Sequence, residues 1–159
     1  MVEVLVADTS ALIYFFHLKR LDLLSALSAE VLIPRRVLEE LASGSEGDLL
    51  ASEVRRRFVV VLAAELTPAM IEWGLGQGES HVLAVASARP GSEAVLDDRQ
   101  ARRRAVSIGV PVVGTLGLIL RAKQRGLISA ARPLVEELVR RKAFLSSELI
   151  AAALGRVGE

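Results

Sequence analysis

The sequence predicts an α/β fold: a parallel twisted sheet of four to five strands flanked by helices, ending in a helical C-terminal tail. Short β-branched runs alternate with longer amphipathic ones, and the short runs are apolar almost throughout, as strands covered on both faces must be. With 52% of 159 residues hydrophobic, the chain can bury a sizeable core, and no linker, repeat or low-complexity tract divides it. One domain over residues 1–159 is therefore expected, with 127–159 as its helical C-terminal extension.

The strands are expected at residues 3–7, 31–33, 58–62, 94–96 and 111–113, with helical patterns filling the gaps. A loop-like patch, residues 42–48, carries Ser43, Gly44, Ser45 and Gly47. Beyond Gly126 the pattern is helical only. Ser129 is a candidate N-cap, Leu134, Val135, Leu138 and Val139 keep helical spacing, and Ser146 or Ser147 could cap a last helix through Leu154. This tail is expected to pack on the domain or on a second copy in a homodimer.

Composition excludes several kinds of chemistry. Without cysteine there are no disulfides, thiolate ligands or cysteine nucleophiles, which suits a reducing cytoplasm, and any metal must be held by oxygen or histidine. A net charge of +1 rules out a strongly basic nucleic-acid binder, so affinity for RNA must come from local clusters. The opening residues lack the basic start and long apolar run of a signal peptide. The longest uncharged stretch, residues 105–120, is too short for a bilayer and is interrupted by Gly109, Pro111, Gly114 and Gly117. A cytoplasmic protein with no membrane partner is expected.

In open α/β sheets the ligand crevice lies beyond the carboxyl ends of the strands. Here those positions are acidic. Asp8 follows the first strand, and Asp97 and Asp98 follow the fourth, before a helix carrying Arg99, Arg102, Arg103 and Arg104. A single aspartate there would serve as an N-cap. Three acids exceed that need and repel one another unless a hard cation such as Mg2+ or Mn2+ neutralises them. Glu39 and Glu40 lie about equally far from the apolar face of their helix, so periodicity does not choose between them. Glu79 opens a helix that is apolar nearly all round after its first turn, where it either complements the helix dipole or takes part in a site.

These residues resemble the PIN domain family over nearly the whole chain, through Val6-Ala7-Asp8-Thr9-Ser10, the Glu40-Leu41 pair and Leu96-Asp97-Asp98-Arg99. More narrowly the chain looks like a prokaryotic PIN-like branch of unknown function, through Gly76-Gln77-Gly78-Glu79 and Gly114-Thr115-Leu116-Gly117. The resemblance implies a Mg2+- or Mn2+-dependent nuclease, commonly acting on RNA. Asp8 matches the family's first acid, Glu40 the second and Asp98 the later aspartate, with Asp97 as a ligand or supporting acid. Glu79 stands where many relatives carry an aspartate. Ser10 matches a hydroxyl residue that contacts carboxylate or phosphate, its alternative being an N-cap; Thr115 is expected to cap a helix. Small PIN proteins resembling VapC toxins further imply a small antitoxin protein as partner.

The expected catalytic set is therefore Asp8, Glu40, Glu79 and Asp98, with the ion on Asp8, Glu40, Asp97 and Asp98. Arg99, Arg103 and Ser10 are candidates for substrate phosphate, with Arg102, Lys123 and Arg125 as further cations. His17 and His81 sit among apolar helical neighbours, which disfavours a histidine-dependent ribonuclease. Few aromatics are available for base stacking. A non-catalytic PIN-like module binding RNA or protein is the main alternative. A haloacid-dehalogenase-type phosphatase would want Asp-x-Asp after the first strand, where this chain has Asp8-Thr9-Ser10.

Overall fold

The computed structural model describes residues 2–62, 64–141 and 143–159. Five strands form one wholly parallel sheet in the order β3-β2-β1-β4-β5: β1 Val2–Ala7, β2 Ser28–Pro34, β3 Val59–Val61, β4 Ser92–Val95 and β5 Val112–Val113. Each falls on a predicted apolar run. On β1, the four consecutive residues Val4, Leu5, Val6 and Ala7 are buried. Neighbouring strand residues point to opposite faces, so both faces of the central strand are covered. β3 departs from the expected two-sided burial: it is an edge strand, and Val59 and Val60 are exposed.

Ten helices are described: α1 Thr9–His17, α2 Asp22–Leu27, α3 Arg35–Ala42, α4 Gly47–Arg57, α5 Pro68–Glu72, α6 Gln77–Ser87, α7 Arg99–Ser107, α8 Thr115–Gln124, α9 Arg132–Arg140 and α10 Ser147–Gly155. α3 points Val37, Leu38 and Leu41 inward and leaves Arg35, Arg36 and Glu39 outside. α6 is buried from Val82 to Ala86, as its all-round apolar pattern predicted, and packs against α3, β2 and β4.

The tail packs on the domain. Ile128, Ala131, Val135, Leu138, Ala153 and Leu154 join the main core, and α9 and α10 both lie against α8. Ser146 caps α10, its hydroxyl accepting from the Leu149 N–H at 3.1 Å. Ser129 does not cap α9. The start of that helix is served by the Glu159 carboxylate, which accepts from the Ala131 and Arg132 N–H groups at 2.8 and 2.9 Å. A distant side chain takes the place that sequence proximity suggested for Ser129. Among the described residues no helix is long and apolar enough to cross a membrane.

The strand order places the site. From β1 the chain steps outward to β2 and β3, then returns to lay β4 on the other side of β1. That reversal opens a crevice between the carboxyl ends of β1 and β4. The two ends are tied there by the Asp8 N–H, which donates to the Val95 carbonyl at 3.3 Å.

Candidate functional site

Asp8 stands at the floor of this crevice and is 4% exposed. It occupies the N-cap position of α1, yet its side chain makes no cap hydrogen bond to that helix. Capping therefore does not account for it. Burial, opposed in part by the neighbouring Thr9 backbone N–H and reinforced by the charges of Glu79, Glu40 and Asp97, raises its pKa from 3.8 to about 7. Asp8 is thus a buried carboxyl surrounded by other acids.

Glu40 reaches the crevice from α3. One carboxylate oxygen accepts from the Thr9 hydroxyl at 2.6 Å, and the other accepts from the Gly78 N–H at 2.8 Å. Its neighbour Glu39 is turned outward, where it pairs with Arg35 and Arg36. Gly78 has a spatial reason to be glycine: a Cβ on it would stand 2.5 Å from Glu40 Oε2 and 3.0 Å from Asp8 Oδ1. The two carboxylates meet over its bare Cα.

The aspartates after β4 have unequal tasks. Asp97 accepts from the Thr115 N–H at 2.8 Å and from the Thr115 hydroxyl at 2.7 Å, joining the start of α8 to the end of β4. Thr115 therefore anchors an acid with its side chain, rather than capping its helix as expected. Asp98 caps α7, accepting from the Ala101 N–H at 2.8 Å through Oδ1. Glu79 accepts from the Gly76 N–H at 3.1 Å, and burial together with the charges of Asp98 and Glu40 raises its pKa. Capping and site geometry coexist in these acids.

A cavity of about 460 Å3 opens over them, lined by Ser10, Tyr14, Glu79, Asp97, Asp98 and Thr115 together with Ala143, Phe144 and Leu145. Arg99, in the first turn of α7, also lines it. Arg103, one turn further from the strand ends, does not. Arg102 donates to the Leu96 carbonyl at 3.2 Å. Ser10 lies in the first turn of α1 but is not its N-cap, a position Asp8 holds. Lys123 and Arg125 sit at the far end of α8, bonded to the Ser129 and Leu27 carbonyls. His17 pairs with Glu46, and His81 bonds the Gln77 carbonyl within its own helix. The basic cluster at residues 140–142 is spent, as far as it is described, on Glu137 pairing with Arg140 and Arg141; Lys142 lies outside the described residues.

A family model, DUF3368, described as a PIN domain, matches residues 4–159. The chain belongs to the PIN domain family. PIN domains are in general nucleases, typically using divalent metals. No curated protein matches this PIN domain.

The donor set suits that chemistry, being carboxylate oxygens throughout, which Mg2+ and Mn2+ prefer. Among the described residues no three of them converge closely enough to grip an ion as they stand. Thr9, Tyr14 and Gly78 are the site neighbours that sequence reasoning did not assign. Thr9 and Gly78 lie within the motifs that carry the family resemblance, and Tyr14 one helical turn beyond Ser10, but their partners are far away in sequence.

Proposed function

We propose that this PIN domain is a divalent-metal-dependent endoribonuclease, its ion held by Asp8, Glu40, Asp97 and Asp98. The observation that carries the proposal is Asp8: a buried carboxyl at the switch point of the sheet, uncapped, with Glu40 drawn over Gly78 towards it. A bound Mg2+ or Mn2+ would lower the pKa of water and neutralise charge on the phosphoryl oxygen.

The remaining work falls to the chain's own groups. Thr9 and Gly78 hold Glu40 in place, and Thr115 does the same for Asp97. Glu79 faces the cavity, where it orients the attacking water and receives its proton. Arg99 and the Ser10 hydroxyl face the same space and donate to the substrate phosphate. On this reading both act on an RNA strand lying across the crevice.

A mixed RNA pool incubated with Mn2+, with Mg2+ or with EDTA tests this directly. Cleavage with either ion, abolished by EDTA and by Asp8→Asn, is expected, and a parallel single-stranded DNA pool should be cut more slowly. Cleavage that persists in EDTA or in Asp8→Asn would contradict the mechanism. The same activity suits a toxin held by a small antitoxin. In that role, inducing the wild-type chain arrests growth while Asp8→Asn does not.

A further inference from the structure

The acid crevice does not end at Asp97. A second cavity, about 660 Å3, continues from it between β5, α8 and α10. The two share Asp97, Arg99, Leu116, Phe144 and Leu145 as a common wall. Both volumes lie in the ~300–1,000 Å3 range of small-molecule sites, so each has room for about one or two nucleotides.

Two features of the second cavity point to its occupant. Three arginines, Arg99, Arg102 and Arg156, line it, and none of them pairs with a carboxylate among the described residues, as is also true of Arg55, Arg103, Arg104 and Arg125 outside it. Three guanidinium groups gathered along one groove, Arg102 held there by the Leu96 carbonyl, make a local field for an anionic chain in a protein of net charge +1. The other feature is Phe144. Its ring is fully exposed, at 102% of the reference area, at the junction of the two cavities. The turn presenting it is anchored on both sides: the Ala143 N–H donates to the Leu138 carbonyl at 3.0 Å, and Ser146 caps α10. An aromatic face with no packing role, beside unpaired arginines, matches the recurring design of single-strand binding, bases on rings and phosphates on cations.

We propose that this groove is a single-strand nucleic-acid subsite adjoining the cleavage centre, with Phe144 stacking one base and Arg102 and Arg156 receiving the phosphates that follow. It rests on the nuclease reading for its direction, since the strand would run from the acids past Phe144 towards α10. Duplex does not fit this arrangement, because its bases are already stacked and present no free face to the ring.

The test is equilibrium binding of a short fluorescent single-stranded oligonucleotide to full-length Asp8→Asn protein in EDTA, with unlabelled duplex as competitor. Phe144→Ala should weaken binding roughly tenfold, Phe144→Trp should restore it, and Arg156→Ala should weaken it while flattening its salt dependence by about one phosphate contact. Duplex should compete poorly. Unchanged affinity in both Phe144→Ala and Arg156→Ala would overturn the subsite. So would a Phe144→Ala variant that turns a dimer into a monomer in sedimentation, which would make this face a contact between copies of the chain. Cleavage by the Asp8-intact protein separates the two proposals. If wild type cuts RNA and the groove variants leave its KM unchanged, the subsite fails and the nuclease reading stands. If wild type binds as described but cuts nothing with Mn2+, the reverse holds.

Discussion

Asp8 concentrates the energetics of the site in one carboxyl. Folded, it keeps its proton up to about pH 7; unfolded, it loses that proton near its ordinary 3.8. Between those values the folded chain binds the extra proton, so Asp8's contribution to stability is fully present below about pH 4 and is lost as pH rises through about 7. A shift of this size is worth on the order of 4 kcal/mol if no cation intervenes. In EDTA, urea denaturation should therefore show stability falling across that window, and Asp8→Asn should remove the slope and be the more stable protein at about pH 8. A less stable Asp8→Asn would mean that the charged carboxylate is already compensated within the chain.

Glu40 supplies a second test at the same scale. Its oxygens are held by Thr9 and Gly78, and a Cβ at Gly78 would reach within 2.5 Å of Oε2. Gly78→Ala should cut cleavage roughly a hundredfold while circular dichroism stays unchanged, because displacing a positioned group by about an ångström has that effect. Thr9→Val should lose roughly tenfold and Thr9→Ser should retain activity, since only the hydroxyl's charge-assisted bond is at stake. Glu39→Gln, which touches only the Arg35 and Arg36 pairs, should cleave as wild type.

At the scale of elements, α8 and α10 form the part of the site that the strands do not. Thr115 fixes the start of α8 to Asp97, and Ser146 starts α10 along the neighbouring groove. Ser146→Ala should cost about 1 kcal/mol in urea denaturation, the usual loss of an N-cap. This is also where legibility in the sequence ran out. The five strands were readable because buried parallel strands are short apolar runs between turns, and Asp8, Asp97 and Asp98 were readable because they directly follow such runs. The choice between Glu39 and Glu40 was not, since both flank the same apolar face and the partners that receive Glu40, Thr9 and Gly78, come from elsewhere in the chain, while Glu39 pairs only with Arg35 and Arg36 at the surface. The cap of α9 was misplaced on Ser129 because Glu159 arrives from elsewhere in the fold. Phe144 carried no signal in a stretch whose periodicity read as helix, although it lies in the irregular link between two helices.

For the molecule as a whole, sheet order and charge act together. The reversal between β1 and β4 gathers acids from β1, α3, α6 and the end of β4 into one crevice. A net charge of +1 gives no general pull on nucleic acid, so attraction must come from the few arginines beside those acids. Affinity for single strands should then depend only mildly on salt, with a slope of about −2 in log K against log salt for three phosphate contacts. A much steeper slope would mean that cations outside the groove carry the binding.

On this proposal the carboxylates act as one cation-holding set. Calorimetric titration of Mn2+ into the metal-free protein tests it most directly, with Asp8→Asn, Glu40→Gln and Glu39→Gln compared with wild type. Saturable binding by wild type and Glu39→Gln is expected, weakened roughly tenfold or more by Asp8→Asn and Glu40→Gln, since each replaces a carboxyl ligand with an amide. Equal affinity in all four proteins would contradict it.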